Sequence, residues 1–344
     1  MEVCLHLAVT PGVEVVPICR SKLASVILRQ AGLTCRHGSI SDPQAVRSLL
    51  TGCDLVADFT LPKGLVRETH TAITTLVRNV VNGAPRHARY VYISSIMAYG
   101  MPNDRRVSLR HYFIPRTVYA ATKRFGERLA HNESNRLDRE LYVLRLGDVH
   151  GALQSITRSL LATIDERPAV VPPGESTTVF ISTIAEALVS IARGEQIPGL
   201  YTLIADPPYS CAEIYAHYAS RRGIEPRFIE ESSKASFDLR TVVAAFKRAF
   251  MGVLLSHREV ITAHILWRVP GLELRIKAMH LKRIARAEID VLSTPDLQRP
   301  FLSYKGKRVP GRRLVGLSDP RDSLLDSEQA VRKLLEKVYT PFNR

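Results

Sequence analysis

The sequence predicts an α/β fold built on a doubly wound parallel sheet, and two patterns in its first half indicate this class. Short runs rich in β-branched and aromatic residues alternate with longer segments of helical periodicity, which is typical of β-α-β units. In such units, helices cover both faces of a parallel sheet. The predicted strands are 13–20, 33–40, 54–60, 89–95 and 141–147, and the predicted helices between them include 43–51, 64–82 and 118–133.

Polar residues stand at the ends of the last two of these strands. Ser94 and Ser95 end one run, and Gly147 and Asp148 follow the next. Ligands of doubly wound sheets bind beyond the carboxyl ends of the strands. We therefore expect both pairs on the rim that carries the functional site.

The second half of the chain is less regular. Residues 168–178 are rich in Pro, Gly and Ser and are predicted to form a loop, 181–194 a helix that Gly194 ends, and 199–208 a short strand. From 234 to 291 the periodicity is helical, with an interruption at Pro270 and Gly271. We divide the chain into a sheet domain at 1–150, a substrate-binding region at 151–233 and a helical basic extension at 234–344.

The composition is that of a globular protein with a large core, because 45% of the residues are hydrophobic and 24% are charged. No apolar run approaches the roughly 20 residues that span a bilayer, and the N-terminus lacks the pattern of a signal peptide, so we expect a cytoplasmic protein. The five cysteines are scattered without a Cys-x-x-Cys pair, which predicts neither a disulfide framework nor a metal site.

Tyr119 and Lys123 are four residues apart in a predicted helix, and they therefore share one face of it. A cation beside the phenol would favour its ionised form and make Tyr119 a usable acid or base near neutral pH. The pair alone is also common on helix surfaces. The motifs around it decide between the two interpretations.

Three motifs occur in a fixed order: RYVYISSIMAYG at 89–100, YAATK at 119–123 and LRLGDVHG at 144–151. Together they resemble the extended short-chain dehydrogenases/reductases, the NAD-dependent epimerase/dehydratase family, which acts largely on nucleotide sugars. Weaker similarities extend the resemblance to residues 3–205 and imply a Rossmann-like sheet. The resemblance implies an NAD(P)-dependent oxidoreductase, epimerase or dehydratase acting on a nucleotide sugar or a similar hydroxyl or keto substrate.

The resemblance implies catalytic roles for Ser95, Tyr119 and Lys123. Tyr119 would move a proton on or off a substrate hydroxyl while the nicotinamide takes or gives a hydride. Lys123 would lower the phenol pKa and reach the nicotinamide ribose, and Ser95 would orient the substrate oxygen. Ser94 competes with Ser95 for this role and is otherwise a substrate-binding residue. The alternative is a catalytically silent nucleotide-binding scaffold that has kept these residues and lost the reaction.

Cofactor and substrate contacts are implied by the same resemblance. Arg20 ends the second strand of the family pattern, where a basic residue binds the extra phosphate of NADP, so NADP is favoured over NAD unless Arg20 is only a surface residue. The other implied cofactor-binding residues are Ser39, Ile40, Phe59 and Thr60, together with Tyr119 and Lys123. The implied substrate-binding residues besides Ser94 are Asp148 and Lys63, for which a loop-capping role and a surface position are the alternatives.

One part of the family pattern is missing from the sequence. The family opens with a strand and a Gly-x-x-Gly-x-x-Gly turn that binds the pyrophosphate, whereas this sequence opens with MEVCLHLA, which resembles the end of the helix after that turn. In the family order 3-2-1-4-5-6, strands 2 and 4 would then lack a partner between them. We expect either an internal start at Met1 or a degenerate member that binds nucleotide poorly. The retained Ser95, Tyr119 and Lys123 favour the first.

The net charge of +15 is concentrated in the C-terminal third. Residues 1–220 hold 23 Lys and Arg against 19 Asp and Glu, and residues 221–344 hold 25 against 14. Residues 271–288 have the pattern of a basic amphipathic helix that packs with a solvated face, docks on an anionic membrane surface or closes over an acidic substrate. A nucleic-acid-binding protein on a dehydrogenase fold is a weaker alternative, because aromatic residues are sparse near the basic run 304–313. A homodimer is also compatible with the sequence.

Overall fold

The computed structural model describes residues 1–62, 64, 66–99, 118–166, 169–171, 174–225, 228–230, 268, 275, 311–319, 329–336 and 338. Three sequence predictions fall on other parts of the chain. Lys63 lies outside the described residues. The same holds for the predicted helical stretch 234–291 with its basic helix at 271–288, apart from Arg268 and Arg275, and for residues 304–310 of the basic run.

The elements follow the predicted alternation of strands and helices. The strands are β1 Ile18–Cys19, β2 Arg36–His37, β3 Leu55–Asp58, β4 Arg89–Ser95, β5 Leu141–Leu146, β6 Asp148–His150, β7 Ala169–Val171, β8 Thr178–Phe180, β9 Gly199–Leu203 and β10 Phe228–Glu230. The principal helices are α1 Glu2–Ala8, α2 Val26–Gln30, α3 Pro43–Leu50, α4 Val66–Gly83, α5 Val118–Arg136, α6 Ser155–Glu166, α7 Ile181–Ala192 and α8 Cys211–Arg221.

The central sheet has the strand order β3-β4-β5-β9, and all of its pairs are parallel. β1 and β2 form a separate parallel pair. Within the described part of the chain, no strand is hydrogen-bonded between β1 and β3. In the strand order that the resemblance implies, the first strand of the family would lie between β1 and β3. The predicted Rossmann-like fold class is confirmed.

β4 is buried at six of its seven positions because helices cover both of its faces. Tyr90 and Tyr92 pack in one core with residues of α4 and α5, whereas Val91 and Ile93 pack in another with residues of α1 and α7. This separation follows from the period of two along a strand. The carboxyl end of β4 is thereby fixed between two helical layers.

Gly126 allows α5 to approach β4 closely. A Cβ at this position would overlap the Tyr92 hydroxyl oxygen, so only a residue without a side chain fits between the helix and the strand. Because Tyr92 is only 3% exposed, its ring has little room to move aside. This approach sets the height of α5, and hence of Tyr119 and Lys123, above the sheet.

The region after β5 is partly as predicted. α7 ends at Ala192, and Gly194 has a φ of +77°, as expected for a helix that a glycine ends. The predicted loop at 168–178 is wrong in part, because it contains β7, which pairs in parallel with β10. The short run Ala169–Val171 finds its partner about sixty residues later, and a local pattern does not reveal such pairing.

The C-terminal residues 311–319 return to the edge of the central sheet. The Thr202 N–H donates to the Arg312 carbonyl at 2.9 Å, and Gln196 Nε2 donates to the Val315 carbonyl at 2.8 Å. This segment therefore covers the free edge of β9. Of the helices that the structure describes, none is long and apolar enough to cross a membrane.

Candidate active site

Ser95, Tyr119 and Lys123 come together at the carboxyl end of the central sheet. Ser95 is the last residue of β4, and a 3-10 turn, Ile96–Tyr99, follows it. Tyr119 lies in the first turn of α5 and is 40% exposed, whereas Lys123, one turn later, is only 5% exposed. The three residues that the sequence selects as catalytic therefore occupy one corner of the rim.

Lys123 reaches into the sheet. Its Nζ donates to the Ile93 carbonyl at 2.8 Å, and it lies 5.7 Å from the centre of the Tyr92 ring and 6.0 Å from that of Tyr119. Burial lowers the pKa of Lys123, while the carboxylates of Asp58 and Glu127 raise it. These two carboxylates therefore oppose the tendency of the buried ammonium to lose its proton.

The phenol of Tyr119 has a pKa above its ordinary value because burial disfavours the phenolate. A hydrogen bond with the Ser95 side chain acts in the opposite direction and lowers the pKa. The sequence leads us to expect that Lys123 lowers the pKa of the Tyr119 phenol. In the structure the pKa of Tyr119 is raised instead. The ammonium is bound to the Ile93 carbonyl instead of to the phenol.

Ser94 and Asp148 face different surroundings on the rim. Ser94 is buried, and its hydroxyl donates to Glu127 Oε1 at 2.5 Å. Asp148 begins β6, is partly buried, and its Oδ2 accepts from the Thr177 hydroxyl at 2.9 Å. Burial raises the pKa of Asp148, and the bond from Thr177 lowers it. The structure thus groups Ser95, but not Ser94, with the exposed phenol of Tyr119.

The predicted cofactor-binding residues lie after β1, β2 and β3. Arg20 is exposed immediately after β1. Ser39 Oγ accepts from the Ser41 N–H at 3.2 Å, and the Ile40 carbonyl accepts from Asn79 Nδ2 at 3.0 Å. All three positions follow the carboxyl ends of β1 and β2, which are parallel to each other.

Phe59 and Thr60 follow β3 at the same edge. Phe59 is 45% exposed and its neighbour Leu61 is 44% exposed, which is unusual for large apolar side chains beside a buried sheet. The Thr60 hydroxyl and N–H donate to Asp58 Oδ1 at 2.6 and 2.9 Å. An apolar surface and a fixed turn therefore stand next to the site.

Asp58, Glu127 and Arg145 are buried charged residues at this site that the sequence motifs do not select. Asp58 Oδ2 accepts from the Tyr90 hydroxyl at 3.0 Å, and Glu127 accepts two bonds from Arg145. A signal was present for Glu127, because it lies four residues after Lys123 and hence on the same helix face. Asp58 could also have been found from the sequence, because it is an acidic residue at the end of the apolar strand β3.

The site residues fit one half of a dinucleotide. Phe59 and Leu61 offer apolar surface for a flat ring, and the buried Lys123 Nζ lies 6.0 Å from the centre of the Tyr119 ring. These are groups that a nicotinamide and its ribose require. These residues therefore fit the nicotinamide side of the cofactor.

Solved structures with this fold are similar to the chain at low sequence identity. UDP-glucuronic acid 4-epimerase from Bacillus cereus in complex with NAD is 17% identical, with a TM-score of 0.52 over 67% of this chain and 83% of its own. UDP-glucose 4-epimerase from Thermus thermophilus in complex with NAD is 15% identical, with a TM-score of 0.51 over 71% and 89% of the two chains. dTDP-glucose 4,6-dehydratase from Bacillus anthracis in complex with NAD is 11% identical, with a TM-score of 0.52 over 67% and 80%.

These likenesses support the fold. Among curated proteins, no sequence matches the chain. The sequence model of the NAD dependent epimerase/dehydratase family matches residues 3–179, which is more than half of the chain. The ordered motifs, the parallel sheet and this match agree, and the chain belongs to the NAD dependent epimerase/dehydratase family.

Proposed function

We propose that this chain is an NAD(P)-dependent enzyme that epimerises, dehydrates or reduces a nucleotide sugar or a similar hydroxyl or keto substrate. The observation that carries the proposal is the grouping of Ser95 with Tyr119 and Lys123 at the carboxyl rim of the sheet. A hydroxyl, a phenol and a buried ammonium near one another are the groups that proton transfer to a sugar oxygen requires.

In this proposal, Ser95 and Tyr119 act on the same substrate oxygen. The Ser95 hydroxyl orients the oxygen, and the partly exposed phenol of Tyr119 exchanges a proton with it. The raised pKa keeps the phenol protonated near neutral pH, which suits donation of a proton to a keto oxygen. A bound nicotinamide would supply or accept the hydride at the neighbouring carbon.

Lys123 would contribute charge rather than a proton. Burial between the sheet and α5 lowers the pKa of its ammonium, and Asp58 and Glu127 oppose this shift and favour the charged form. Together with Tyr119 it would hold the nicotinamide ribose, with Phe59 and Thr60 beside it. Ser39 and Ile40 would lie towards the adenine.

Arg20 supports NADP as the preferred cofactor, because it is an exposed cation directly after β1. The structural neighbours named above are in complex with NAD, so the support for NADP comes from Arg20 alone. A guanidinium at this position would bind the extra phosphate through charge-assisted hydrogen bonds. NAD remains the alternative cofactor.

A nucleotide sugar is the proposed substrate class. The neighbours include epimerases of UDP-sugars and a dehydratase of dTDP-glucose, and one further structure is of a Bacillus cereus UDP-glucuronic acid 4-epimerase in complex with UDP-glucuronic acid and NAD. In this chain, Asp148 would bind the sugar at the start of β6. The sheet domain at 1–150, the substrate-binding region at 151–233, the cytoplasmic location and a homodimer stay predictions.

The test is turnover by the purified protein. It is incubated with UDP-glucose, UDP-glucuronic acid or dTDP-glucose, each with NAD or with NADP, and the products are separated by chromatography. We expect a new sugar nucleotide in at least one mixture that contains a cofactor, and none without protein. Binding of cofactor without any product would instead support the catalytically silent scaffold.

A further inference from the structure

Ser94, Glu127 and Arg145 form a buried network directly behind the catalytic corner. Arg145 Nε donates to Glu127 Oε1 at 2.8 Å and Arg145 Nη2 donates to Glu127 Oε2 at 2.6 Å, so the pair is bidentate. The Ser94 hydroxyl adds a third bond to the same carboxylate at 2.5 Å. Their exposures are 3%, 8% and 0%, respectively, so the carboxylate is held in one position with little access to water.

The network joins the three elements that build the site. Ser94 belongs to β4 and precedes Ser95, Glu127 belongs to α5 and lies one turn after Lys123, and Arg145 belongs to β5. The bidentate ion pair has a fixed geometry and holds α5 to β5, and the Ser94 bond to the same carboxylate holds the end of β4 to α5. Ser95 and Tyr119 lie on β4 and α5, the two elements that the Ser94–Glu127 bond joins.

Arg145 also anchors the chain on the other side of Ser95. Its guanidinium lies 4.1 Å from the centre of the Tyr99 ring, and the Tyr99 hydroxyl is 2.7 Å from Thr202 Oγ1. The turn that follows Ser95 therefore ends at Tyr99, whose ring packs against the Arg145 guanidinium. Both flanks of Ser95 depend on one ion pair.

A buried ion pair is poor evidence of stabilisation, because removing two charges from water costs much of what their attraction returns. Such pairs are better explained where they fix a geometry. In this chain the geometry in question is the contact between Ser95 on the sheet and Tyr119 on the helix. The network lies beside this contact, and Glu127 connects all of its members.

We propose that Glu127 is a positioning residue that, through Ser94 and Arg145, holds the Ser95 hydroxyl against the Tyr119 phenol. Ser94 then serves as a connector to Glu127 and not as a substrate-binding residue. The catalytic consequence rests on the proposed function. The alignment of Ser95 with Tyr119 by Glu127 does not depend on the proposed function.

The first experiment measures the pKa of Tyr119 by NMR titration of isotope-labelled tyrosine, with Tyr119→Phe used for assignment. Glu127→Gln keeps the shape of the side chain and removes its charge. If Glu127 acts only as a nearby charge, its removal lowers the phenol pKa, because a negative neighbour disfavours the phenolate. If Glu127 positions Ser95, its removal weakens the bond that lowers the pKa, and the pKa of Tyr119 rises.

Ser94→Ala separates geometry from charge. It breaks the bond to Glu127 but leaves every charge in place, including Lys123 at 6.0 Å and the ionisable Tyr92 on β4. An upward shift of the Tyr119 pKa in Ser94→Ala is therefore geometric. We expect this shift in both variants, and an unchanged or lowered pKa in Ser94→Ala overturns the proposal even if Glu127→Gln does not fold.

Glu133→Gln is the matched control. Glu133 lies on the same helix, and its side chain is 11% exposed against 10% for Glu127. It pairs with Arg78 of α4 and with Arg136 at the end of α5. We expect its replacement to leave the Tyr119 pKa unchanged. An equal upward shift in Glu133→Gln would assign the effect to general loosening of the helix and would overturn the proposal.

Turnover gives a second readout once a substrate is known. We expect Glu127→Gln to lower kcat on the order of 10- to 100-fold with little change in KM, because misplacement of a reacting group acts on the chemical step. An unchanged kcat contradicts the positioning role. Absence of turnover in the unmodified protein would refute the proposed function, and the Tyr119 titration alone would then decide whether Glu127 positions Ser95.

Discussion

The Lys123 Nζ lies 6.0 Å from the centre of the Tyr119 ring, one helical turn further along α5, and it is bound to the Ile93 carbonyl. The two residues thus have different surroundings. Tyr119 is 40% exposed at the rim, where a substrate can reach it, whereas Lys123 is 5% exposed and lies against the sheet. The spacing Tyr-x-x-x-Lys therefore places a partly exposed phenol at the rim and a buried amino group behind it.

Arg20 is expected to set the choice between NADP and NAD. Its exposed guanidinium follows β1, and a charge-assisted contact with the extra phosphate would contribute roughly 1.5 to 3 kcal/mol. We therefore expect NADP to bind at least about tenfold more tightly than NAD, and Arg20→Asp to reverse the order. Calorimetric titration with both cofactors measures this, with Arg47→Asp, a charge reversal on α3, as the control. Equal affinities in the unmodified protein would remove Arg20 from the cofactor site.

Gly126→Ala is expected to destabilise the fold. Alanine is the better helix former, but its Cβ would collide with the Tyr92 hydroxyl in a closely packed core. Overpacking of this kind costs about 1 to 3 kcal/mol of the free energy of unfolding. Urea denaturation measures it, with Arg128→Ala at an exposed position of α5 as the control. If Gly126→Ala is as stable as the unmodified protein, α5 does not lie as close to β4 as described.

Acid is expected to destabilise the protein through two buried histidines. Burial lowers the pKa of His6 and of His150 from 6.5 to about 4, and His217 adds to the effect on His150. Between these values the unfolded chain binds protons that the folded chain does not, so stability is retained above pH 6.5 and falls towards pH 4. The slope for each fully titrating histidine is about 1.4 kcal/mol per pH unit.

His6→Leu tests this directly. Among the described residues, His6 Nδ1 has no hydrogen-bond partner, so an apolar side chain of similar size removes the titration without breaking such a bond. We expect the stability difference between about pH 7 and pH 5 in urea denaturation to shrink in His6→Leu. His131→Gln, at an exposed position of α5, is expected to leave the difference unchanged. If His6→Leu and the unmodified protein lose the same stability between about pH 7 and pH 5, His6 does not cause the destabilisation by acid.

Much of the fold could be predicted because it depends on local patterns. The predicted strand 89–95 coincides with β4, and the predicted helix 118–133 is three residues shorter than α5, because a buried strand and an amphipathic helix carry their periodicity in their own sequence. β1 and β2 are two residues long within predicted strands of eight, since pairing with neighbours decides how much of an apolar run becomes a strand.

The candidate site was predictable in its motifs but not in its supports. The sequence does not say which of the adjacent hydroxyls of Ser94 and Ser95 is held by a buried partner on α5. The buried contact between Ser94 and Glu127 settles the orientation of Ser94, and it depends on the packing of α5 against β4. Arg145 looks like an ordinary charge in the sequence, and only the folded chain brings it to Glu127.

The most direct test of the account compares Tyr119→Phe with Tyr142→Phe. Both remove one phenol oxygen, but the Tyr142 hydroxyl donates to the Gln196 carbonyl at 3.0 Å near the start of β5, away from the rim. We expect Tyr119→Phe to bind the cofactor as the unmodified protein does and to lose turnover of the nucleotide sugar, because only the proton-exchanging group is removed. Tyr142→Phe should keep turnover. Full activity in Tyr119→Phe would contradict the claim that Tyr119 is the acid or base of this protein.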